Sequence, residues 1–179
     1  MAQWVALLRG INVGGHNKVP MADLRRLCAG LGWTGVQTYI ASGNLVFAAE
    51  GEAGGLALAL HAAMIAGMGV AVEALILPGA AVRSALADCP FDPAQGKRVH
   101  AFFLWAVPVL DLAVYEALRL PNEQVAVLGQ VAWLHAPDGI GASKLAEKFG
   151  HVVTGTQMTA RNLNTLRKLV EMLDVAGAG

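Results

Sequence analysis

The order of predicted strands and helices recurs on both sides of one proline-rich break, and this recurrence limits the possible folds more than any other feature. The break is the segment 89–96, which contains two prolines and a glycine. Hydrophobic periodicity predicts strand, helix, hairpin, helix and a fourth strand before it, and strand, helix, hairpin and helix after it. The sequence therefore predicts an α+β fold: two ferredoxin-like βαββα units packed together, plus a C-terminal helix.

The two predicted halves are residues 1–90 and residues 97–179. Strands are predicted at 4–13, 36–40, 45–47, 70–77, 99–107, 124–128 and 131–135. Helices are predicted at 20–31, 56–66, 80–87, 110–118, 143–149 and 163–173. The last two strands are joined by a two-residue hairpin loop, Gly129-Gln130. No residue-level identity links the halves, so the recurrence is one of topology.

The composition is unusually apolar, with 55% hydrophobic and only 15% charged residues among 179. A chain of this length and composition can bury a large core, which excludes an intrinsically disordered protein. Thirteen Lys and Arg residues balance thirteen Asp and Glu residues. No global field therefore attracts nucleic acid or an anionic membrane, although a local basic patch stays open.

The N-terminal residues and one uncharged stretch of the sequence determine the cellular location that we expect for the protein. The first three residues include no basic side chain, and Arg9 interrupts the apolar run, so no signal peptide is predicted. The stretch 53–72 approaches membrane-spanning length, but its glycines, His61 and its change of period favour a buried helix followed by a strand. We therefore expect a cytoplasmic protein without a membrane partner.

Cysteines and histidines show no metal-ligand spacing. Cys28 and Cys89 form no CxxC motif, and the five histidines form no HExxH motif. Cys28 lies on the apolar face of its predicted helix, where we expect it to be a small buried hydrophobic residue. No metal is predicted, and the sequence names no cofactor.

The first candidate site follows the first predicted strand and comprises Arg9, Asn12, Gly14, Gly15 and Lys18. Glycines between a strand and a helix leave backbone N–H groups free, and such groups suit an anion. Arg9 and Lys18 add positive charge. The pattern is neither GxGxxG nor a P-loop, so no nucleotide fingerprint is present. The alternative is a glycine turn that requires positive φ, with Asn12 satisfying backbone groups of the loop.

Ser42 and Asn44 form the second candidate site, in a predicted hairpin turn with Gly43. Such residues are common in hairpin turns for conformational reasons alone. Pairing between the first strand and this hairpin would permit the turn to lie beside Arg9. Both segments would then contribute to one anion site.

The third candidate site combines Ser143 and Lys144 with Thr159, Arg161 and Asn162. The last three precede the C-terminal helix, and either Thr159 or Asn162 can cap it. A cation at a helix N-terminus opposes the macrodipole, so Arg161 indicates an anionic partner, either a ligand or a carboxylate of the protein. The alternative is an arginine that is simply solvated at the surface. A Ser143–Lys144 nucleophile pair is disfavoured, because adjacent helical residues point in different directions.

Four runs of residues resemble a bacterial family called domain of unknown function 1697. The runs are Leu8 to Gly15 (LRGINVGG), Lys18 to Met21 (KVPM), Thr38 to Asn44 (TYIASGN) and Thr159 to Asn162 (TARN). They occur in the family's order, and Leu163 stands where the family usually has Trp. The resemblance implies an intracellular α+β protein of ferredoxin-like units. It implies no activity and no catalytic residue, because the family is uncharacterised.

The leading functional hypothesis is binding, with or without turnover, of an anionic or phosphorylated small molecule near the glycine turn. Polar, glycine-rich segments in an apolar chain motivate it, since unpaired polar groups are costly to bury. The alternatives are a nucleic-acid-binding module, favoured by a locally basic C-terminal part, and a self-associating interaction protein, favoured by the apolar surplus. Catalysis and oligomeric state stay open.

Overall fold

The computed structural model describes residues 1–177, and the chain forms two compact units. The first unit comprises residues 1–84 and the C-terminal segment from Arg167, and the second comprises residues 85–166. Each contains a four-stranded antiparallel sheet with helices, so the predicted α+β class is confirmed. The C-terminal segment, predicted with the second half, belongs to the first unit. Whether the two predicted halves fold as separate domains stays a prediction.

The first unit contains four strands with two helices between them. In chain order its elements are β1 (Ala2–Leu8), α1 (Met21–Gly30), β2 (Thr34–Tyr39), β3 (Asn44–Ala49), α2 (Ala53–Met68), β4 (Ala74–Pro78) and α3 (Gly79–Ala87). The strands pair in the order β2-β3-β1-β4, and all pairs are antiparallel. β1 is therefore central, as its continuous apolar run predicts.

The core of this unit lies between the sheet and helices α1 and α2. Three residues of α2 recur every fourth position and are buried, namely Leu56, Leu60 and Met64, which is the spacing of one helical face. The rings of Trp33 and Phe47 stack with centroids 4.0 Å apart. Cys28 is fully buried, as predicted.

The second unit repeats this order of elements with additional short pieces. In chain order its elements are β5 (Val99–Leu104), β6 (Val109–Leu110), α4 (Leu112–Leu118), β7 (Gln124–Leu128), β8 (Val131–His135), α5 (Lys144–Glu147), α6 (Phe149–Val152), β9 (Val153–Thr154) and β10 (Met158–Asn162). The last helix of the chain, α7 (Leu163–Gly177), follows β10 and continues from Arg167 in the first unit. The main sheet has the order β10-β5-β8-β7, and β6 pairs with β9. Leu128 pairs with Val131, which confirms the two-residue hairpin loop.

Several predicted elements end at different residues. β1 ends at Leu8 and not at residue 13, because Gly10 and Asn12 have φ values of +70° and +53°, which strand residues do not adopt. The strand predicted from Val99 ends at Leu104. The helix predicted over 143–149 is two short helices, α5 and α6, separated at Lys148.

The C-terminal part of α7 is attached to β1 and α3 of the first unit by polar contacts. Gln3 Nε2 donates to the carbonyl oxygen of Leu173 at 2.9 Å, and Arg83 forms an ion pair of 2.9 Å with Asp174. These contacts explain why a helix at the end of the chain belongs to the unit that begins it. Among the described helices, none has the length and apolar character needed to span a membrane.

Candidate anion-binding site

The glycines of the first candidate site form the tip of a tight turn in the loop between β1 and α1. Val13 and His16 face each other in an isolated antiparallel bridge, and His16 N donates to Val13 O at 3.0 Å. Gly14 and Gly15 between them have φ values of +57° and +77°. A two-residue turn with positive φ at both positions strongly favours glycine. The glycines are thus explained by backbone geometry, whether or not a ligand binds.

The turn also leaves donors available. Within residues 1–177, the N–H groups of Gly14 and Gly15 form no hydrogen bond, and both residues are exposed. Exposed backbone N–H groups of successive residues at a turn can form a concave site for an anion. The turn therefore has both the glycine conformation and the free N–H groups that the sequence predicted.

Asn12 holds this loop in place through its side chain. Its Nδ2 donates to Val19 O at 3.0 Å and to Ala41 O at 2.8 Å, and its Oδ1 accepts from Val19 N at 2.8 Å. Asn17 adds a bond of 3.0 Å from its Nδ2 to Gly10 O. Asn12 thus satisfies loop backbone groups, as the alternative reading of this motif predicted.

The second candidate site lies directly beside the first. Leu8 N donates to Gly43 O at 2.8 Å, and the bond from Asn12 to Ala41 O is the second link. The turn between β2 and β3 therefore contacts the loop after β1, an arrangement that the predicted strand pairing permits. A Cβ atom at Gly43 would lie 2.6 Å from Leu8 Cβ, so the close approach requires glycine.

Ser42 and Asn44 differ in what they can offer a ligand. Asn44 is fully buried, and its Nδ2 donates to Tyr39 O and to Ser42 Oγ, both at 3.0 Å. Ser42 is exposed. We conclude that Asn44 shapes the turn from within, whereas Ser42 lies at the surface of the same turn.

The two cations of the first candidate site are exposed and have no acidic partner. In the described part of the chain, no carboxylate oxygen lies within 4.0 Å of the side-chain nitrogens of Arg9 or Lys18. Asp23, the one acid of the segment 9–26, pairs with Arg26. The positive charges near the glycine turn are therefore not neutralised by ion pairs within the protein.

Lys18 also lines a groove of about 820 Å³ between α1 and α2. Its other lining residues are Pro20, Asp23, Arg26, Leu27, Gly30, Leu31, Ala63, Ala66, Gly67 and Met68. This volume lies within the range of about 300–1,000 Å³ typical of small-molecule sites. Sequence reasoning did not predict this groove, because the residues of its two walls, up to Leu31 on one side and from Ala63 on the other, are more than thirty positions apart.

The third candidate site lies in the second unit, and its first pair begins α5. Ser143 is buried, and its Oγ accepts from Ala146 N at 2.9 Å, so it is the N-cap of this helix. Lys144 is exposed. Capping explains the serine in full, and no contact joins its hydroxyl to the amine of Lys144 among the described hydrogen bonds.

Thr159, Arg161 and Asn162 lie in or at the end of β10, a strand that the sequence did not predict. Thr159 cannot cap α7, because it pairs with Phe103 in the sheet. Asn162 does cap this helix, since its Oδ1 accepts from Thr165 N at 2.9 Å. One of the two alternatives for the cap is thus confirmed.

Arg161 is buried, with 7% of its surface exposed. Its guanidinium donates to Thr159 Oγ1 at 2.8 Å and to Ala160 O at 2.7 Å. Burial lowers the pKa of Arg161 to about 10 by desolvation. The residue stays a cation at neutral pH, and these two hydrogen bonds run back along its own strand.

The predicted site residues therefore fall into two groups in different units. Arg9, Asn12, Gly14, Gly15, Lys18, Ser42 and Asn44 belong to the first unit, and Ser143, Lys144, Thr159, Arg161 and Asn162 to the second. The first group forms one connected pair of loops. A shared cleft for both groups stays a prediction, as does nucleic-acid binding by the basic C-terminal part, where Lys168 pairs with Glu171.

His100 is a buried polar residue that sequence reasoning did not single out. It lies in β5 with 7% of its surface exposed, and its Nδ1 has no hydrogen-bond partner among residues 1–177. Desolvation lowers its pKa below the ordinary value of 6.5. His100 lies two positions before Phe102 and therefore on the same face of the strand, and this spacing was the sequence signal that could have predicted its burial.

No group of three or more potential metal ligands occurs in the described chain.

Comparison with known proteins assigns the chain to a family. Residues 1–133 match the family described as protein of unknown function DUF1697. The chain belongs to this family. The match includes the whole glycine loop and the turn at Ser42, so the resemblance of the first three sequence runs is confirmed. No curated protein matches this DUF1697 member.

A solved structure is similar over nearly the whole DUF1697 chain. It is the conserved bacterial protein SP0830 from Streptococcus pneumoniae, with 27% sequence identity and a TM-score of 0.72. The similarity covers 96% of this chain and 98% of that one. A conserved bacterial protein thus has the same fold, and its description states no activity.

Proposed function

We propose that the first unit of this protein binds a small anion, such as a phosphorylated metabolite, at the glycine turn. The observation that carries the proposal is the pair of cations, Arg9 and Lys18, which lie in the same loop as Gly14 and Gly15 and have no acidic partner in the described chain. The backbone N–H groups would contact the anion, and the two cations would add charge-assisted contacts.

The loop is already organised for binding. Four side-chain hydrogen bonds hold it, three of Asn12 with Val19 and Ala41 and one from Asn17 to Gly10 O. The backbone bond from Asn12 N to Asn17 O, of 3.1 Å, adds to them. Ile11 and Val19 anchor it in the core with 1% and 2% exposure. A loop that is fixed before binding loses little conformational entropy on binding, which favours affinity.

The local charge is favourable although the net charge of the chain is zero. Residues 9–26 contain four Arg or Lys residues and a single acid, Asp23. Asp23 pairs with Arg26, so the other cations of the segment, Arg9, Lys18 and Arg25, are not paired with an acid of the same segment. A local excess of positive charge raises the local concentration of anions and increases their rate of association.

The order of strands in the two sheets suggests a known fold for each unit. We propose that each unit is ferredoxin-like, because each four-stranded sheet has the first of its own four strands between the third and the fourth. The loop after the first strand and the turn between the second and third strands then lie at one end of the sheet. A cytoplasmic location and a contribution of Arg161 to the ligand stay predictions.

A thermal-shift experiment tests the proposed function. The wild-type protein would be heated with inorganic phosphate, nucleoside phosphates and sugar phosphates, beside Arg9→Ala, Lys18→Ala and the control Lys97→Ala. Lys97 is an exposed cation of the second unit. A ligand at a hundred times its Kd stabilises a protein by about 2.7 kcal/mol. We expect such a shift in wild type and in Lys97→Ala, and its loss in the other two variants.

Two results would contradict the proposal. One is the absence of any shift with saturating anions of all three classes. The other is an equal shift in Arg9→Ala, Lys18→Ala and Lys97→Ala, because an anion that contacts neither cation binds elsewhere.

A further inference from the structure

The groove between α1 and α2 has a charged part and an apolar part along the same helix face. Asp23, Arg26 and Leu27 of α1 and its C-cap residue Leu31 line it. Arg26 and Leu27 follow Asp23 by three and four positions and Leu31 follows Leu27 by four, so all of them lie on one face. The step from Asp23 to Leu31 is about 12 Å along the helix axis. The charged residues therefore lie toward the start of α1 and the apolar residues toward its end.

The apolar part is an exposed edge of the core. Leu27, Leu31 and Met68 pack against the buried core cluster of the first unit and are themselves only half-buried. Their remaining apolar surface lies in the groove, where water covers it in the absence of a ligand. Removing this surface from water favours an apolar occupant.

Small residues of the second wall leave the space open. Ala63, Ala66 and Gly67 of α2 face the groove. A Cβ atom at Gly67 would lie 3.2 Å from Leu27 Cδ1, so the two helices approach closely at this point. A large side chain on this wall would fill the groove without entering the core, because Ala66 is exposed.

The charged part favours an anion. It contains Lys18, which has no acidic partner in the described chain, and the Asp23–Arg26 pair, whose charges cancel. The lining thus has one net positive charge beside an apolar floor. A neutral apolar molecule would leave this charge unused, and a cation would be repelled by it.

We infer that the groove binds a single-chain amphiphilic anion, with its phosphate or carboxylate head at Lys18 and its hydrocarbon tail on Leu27, Leu31 and Met68. The inference rests on the proposed function, because both assign Lys18 to the anion. It adds the chemical class of the ligand, an anion with a hydrocarbon tail. A hydrophilic phosphate ester would contact Lys18 but would leave the apolar part of the groove empty.

Calorimetric titration with an alkyl phosphate series tests this inference. Inorganic phosphate, butyl phosphate, hexyl phosphate and octyl phosphate would be titrated below their critical micelle concentrations. Each buried methylene of the tail should raise the affinity about fourfold. We expect one alkyl phosphate to bind per protein chain. Neutral octyl glucoside serves as the control for a tail without an anionic head, and it should bind more weakly than octyl phosphate.

Two matched variants localise the tail. Ala66→Trp places an indole in the groove, and Ala62→Trp places the same indole on an exposed position of α2 outside the groove lining. We expect Ala66→Trp to remove the gain from chain length while binding of inorganic phosphate persists. Ala62→Trp should retain both.

The outcomes separate this inference from the proposed function. Equal affinity for inorganic and octyl phosphate would overturn the amphiphile and leave anion binding intact, whereas binding of neither would overturn both. A chain-length gain that survives Ala66→Trp would place the tail elsewhere and overturn the inference. A dimer in sedimentation that Ala66→Trp but not Ala62→Trp dissociates would show that a second copy occupies the groove, which also overturns it.

Discussion

The side-chain Nδ2 of Asn12 donates to the carbonyl oxygen of Ala41 at 2.8 Å, and this bond joins the loop after β1 to the turn between β2 and β3. The same nitrogen also donates to Val19 O, and Oδ1 accepts from Val19 N. One amide therefore connects the start and the end of the glycine loop with the neighbouring turn. The geometry of the candidate anion site depends on this residue more than on the cations themselves.

Replacement of Asn12 by Asp tests this structural role. The carboxylate of Asn12→Asp has no N–H to donate and would face the oxygens of Val19 and Ala41. We expect a loss of about 1–3 kcal/mol in the free energy of unfolding, measured with urea. Asn17→Asp is the matched control, because Asn17 also has positive φ but donates only to Gly10 O. Asn17→Asp should lower the free energy of unfolding by about 0.5–1.5 kcal/mol. A larger loss for Asn17→Asp than for Asn12→Asp would contradict the conclusion that Asn12 is the residue that connects the loop with the turn.

Gly43 is expected to be the least replaceable glycine of the candidate site. A Cβ atom there would lie 2.6 Å from Leu8 Cβ and 2.8 Å from Ile11 Cδ1, and φ is +84°. Gly35 has a φ of +60° but no atom within 4 Å of the same added Cβ. Gly35→Ala should cost about 1–2 kcal/mol from φ strain alone, and Gly43→Ala about 1–3 kcal/mol more from overpacking. Equal urea midpoints for the two variants would show that the loops do not pack this closely.

His100 should make the stability of the protein depend on mildly acid pH. Burial lowers its pKa in the folded state below the ordinary value of 6.5, so the unfolded chain binds the proton more readily. Its contribution is therefore complete above about pH 6.5 and decreases as the pH falls below that value. We expect the urea midpoint to decrease between pH 7.5 and pH 5.5, the interval around that value.

The variant His100→Gln isolates this effect from the other four histidines. Glutamine cannot be protonated in this range, so the decrease in stability between the two pH values should be smaller than in wild type. An unchanged decrease would show that another group titrates and that His100 is accessible to water in the folded protein.

The two cysteines should differ in reactivity. Burial raises the pKa of Cys28 to about 12, and the thiolate is the reactive form. Cys89 is half-buried. In native protein, iodoacetamide should therefore modify Cys89 and leave Cys28 intact until denaturant is added, as measured by peptide mass spectrometry. Modification of both at similar rates would show that α1 opens readily from the sheet.

Local sequence signals predicted the elements whose own residues determine them. The hairpin of β7 and β8 was predicted residue for residue, because both strands contain apolar residues at regular spacing and Gly129-Gln130 leaves room for only one type of connection. Cys28 was placed in the core for a similar reason, since it lies four residues after Leu24 on the apolar face of α1. In both cases the pattern lies within a few residues of the feature it predicts.

Long-range contacts explain what could not be predicted. The segment of β10, Met158–Asn162, contains Thr, Arg and Asn, and its burial comes from pairing with β5, more than fifty residues away. For the same reason Arg161 was assigned to a helix start, whereas it lies in a strand. The loops that form the candidate anion site were predicted, because their glycines indicate positive φ. The groove beside Lys18 was not predicted, because it depends on how α1 and α2 pack.

The most direct test of anion binding at the glycine turn is a titration of isotope-labelled protein with inorganic phosphate, followed by amide proton–nitrogen correlation spectra. We expect saturable shifts of the Gly14 and Gly15 amide signals, which are lost in the Lys18→Ala variant and retained in Lys97→Ala. Saturable shifts confined to other segments, or unchanged Gly14 and Gly15 signals at high phosphate, would contradict this expectation.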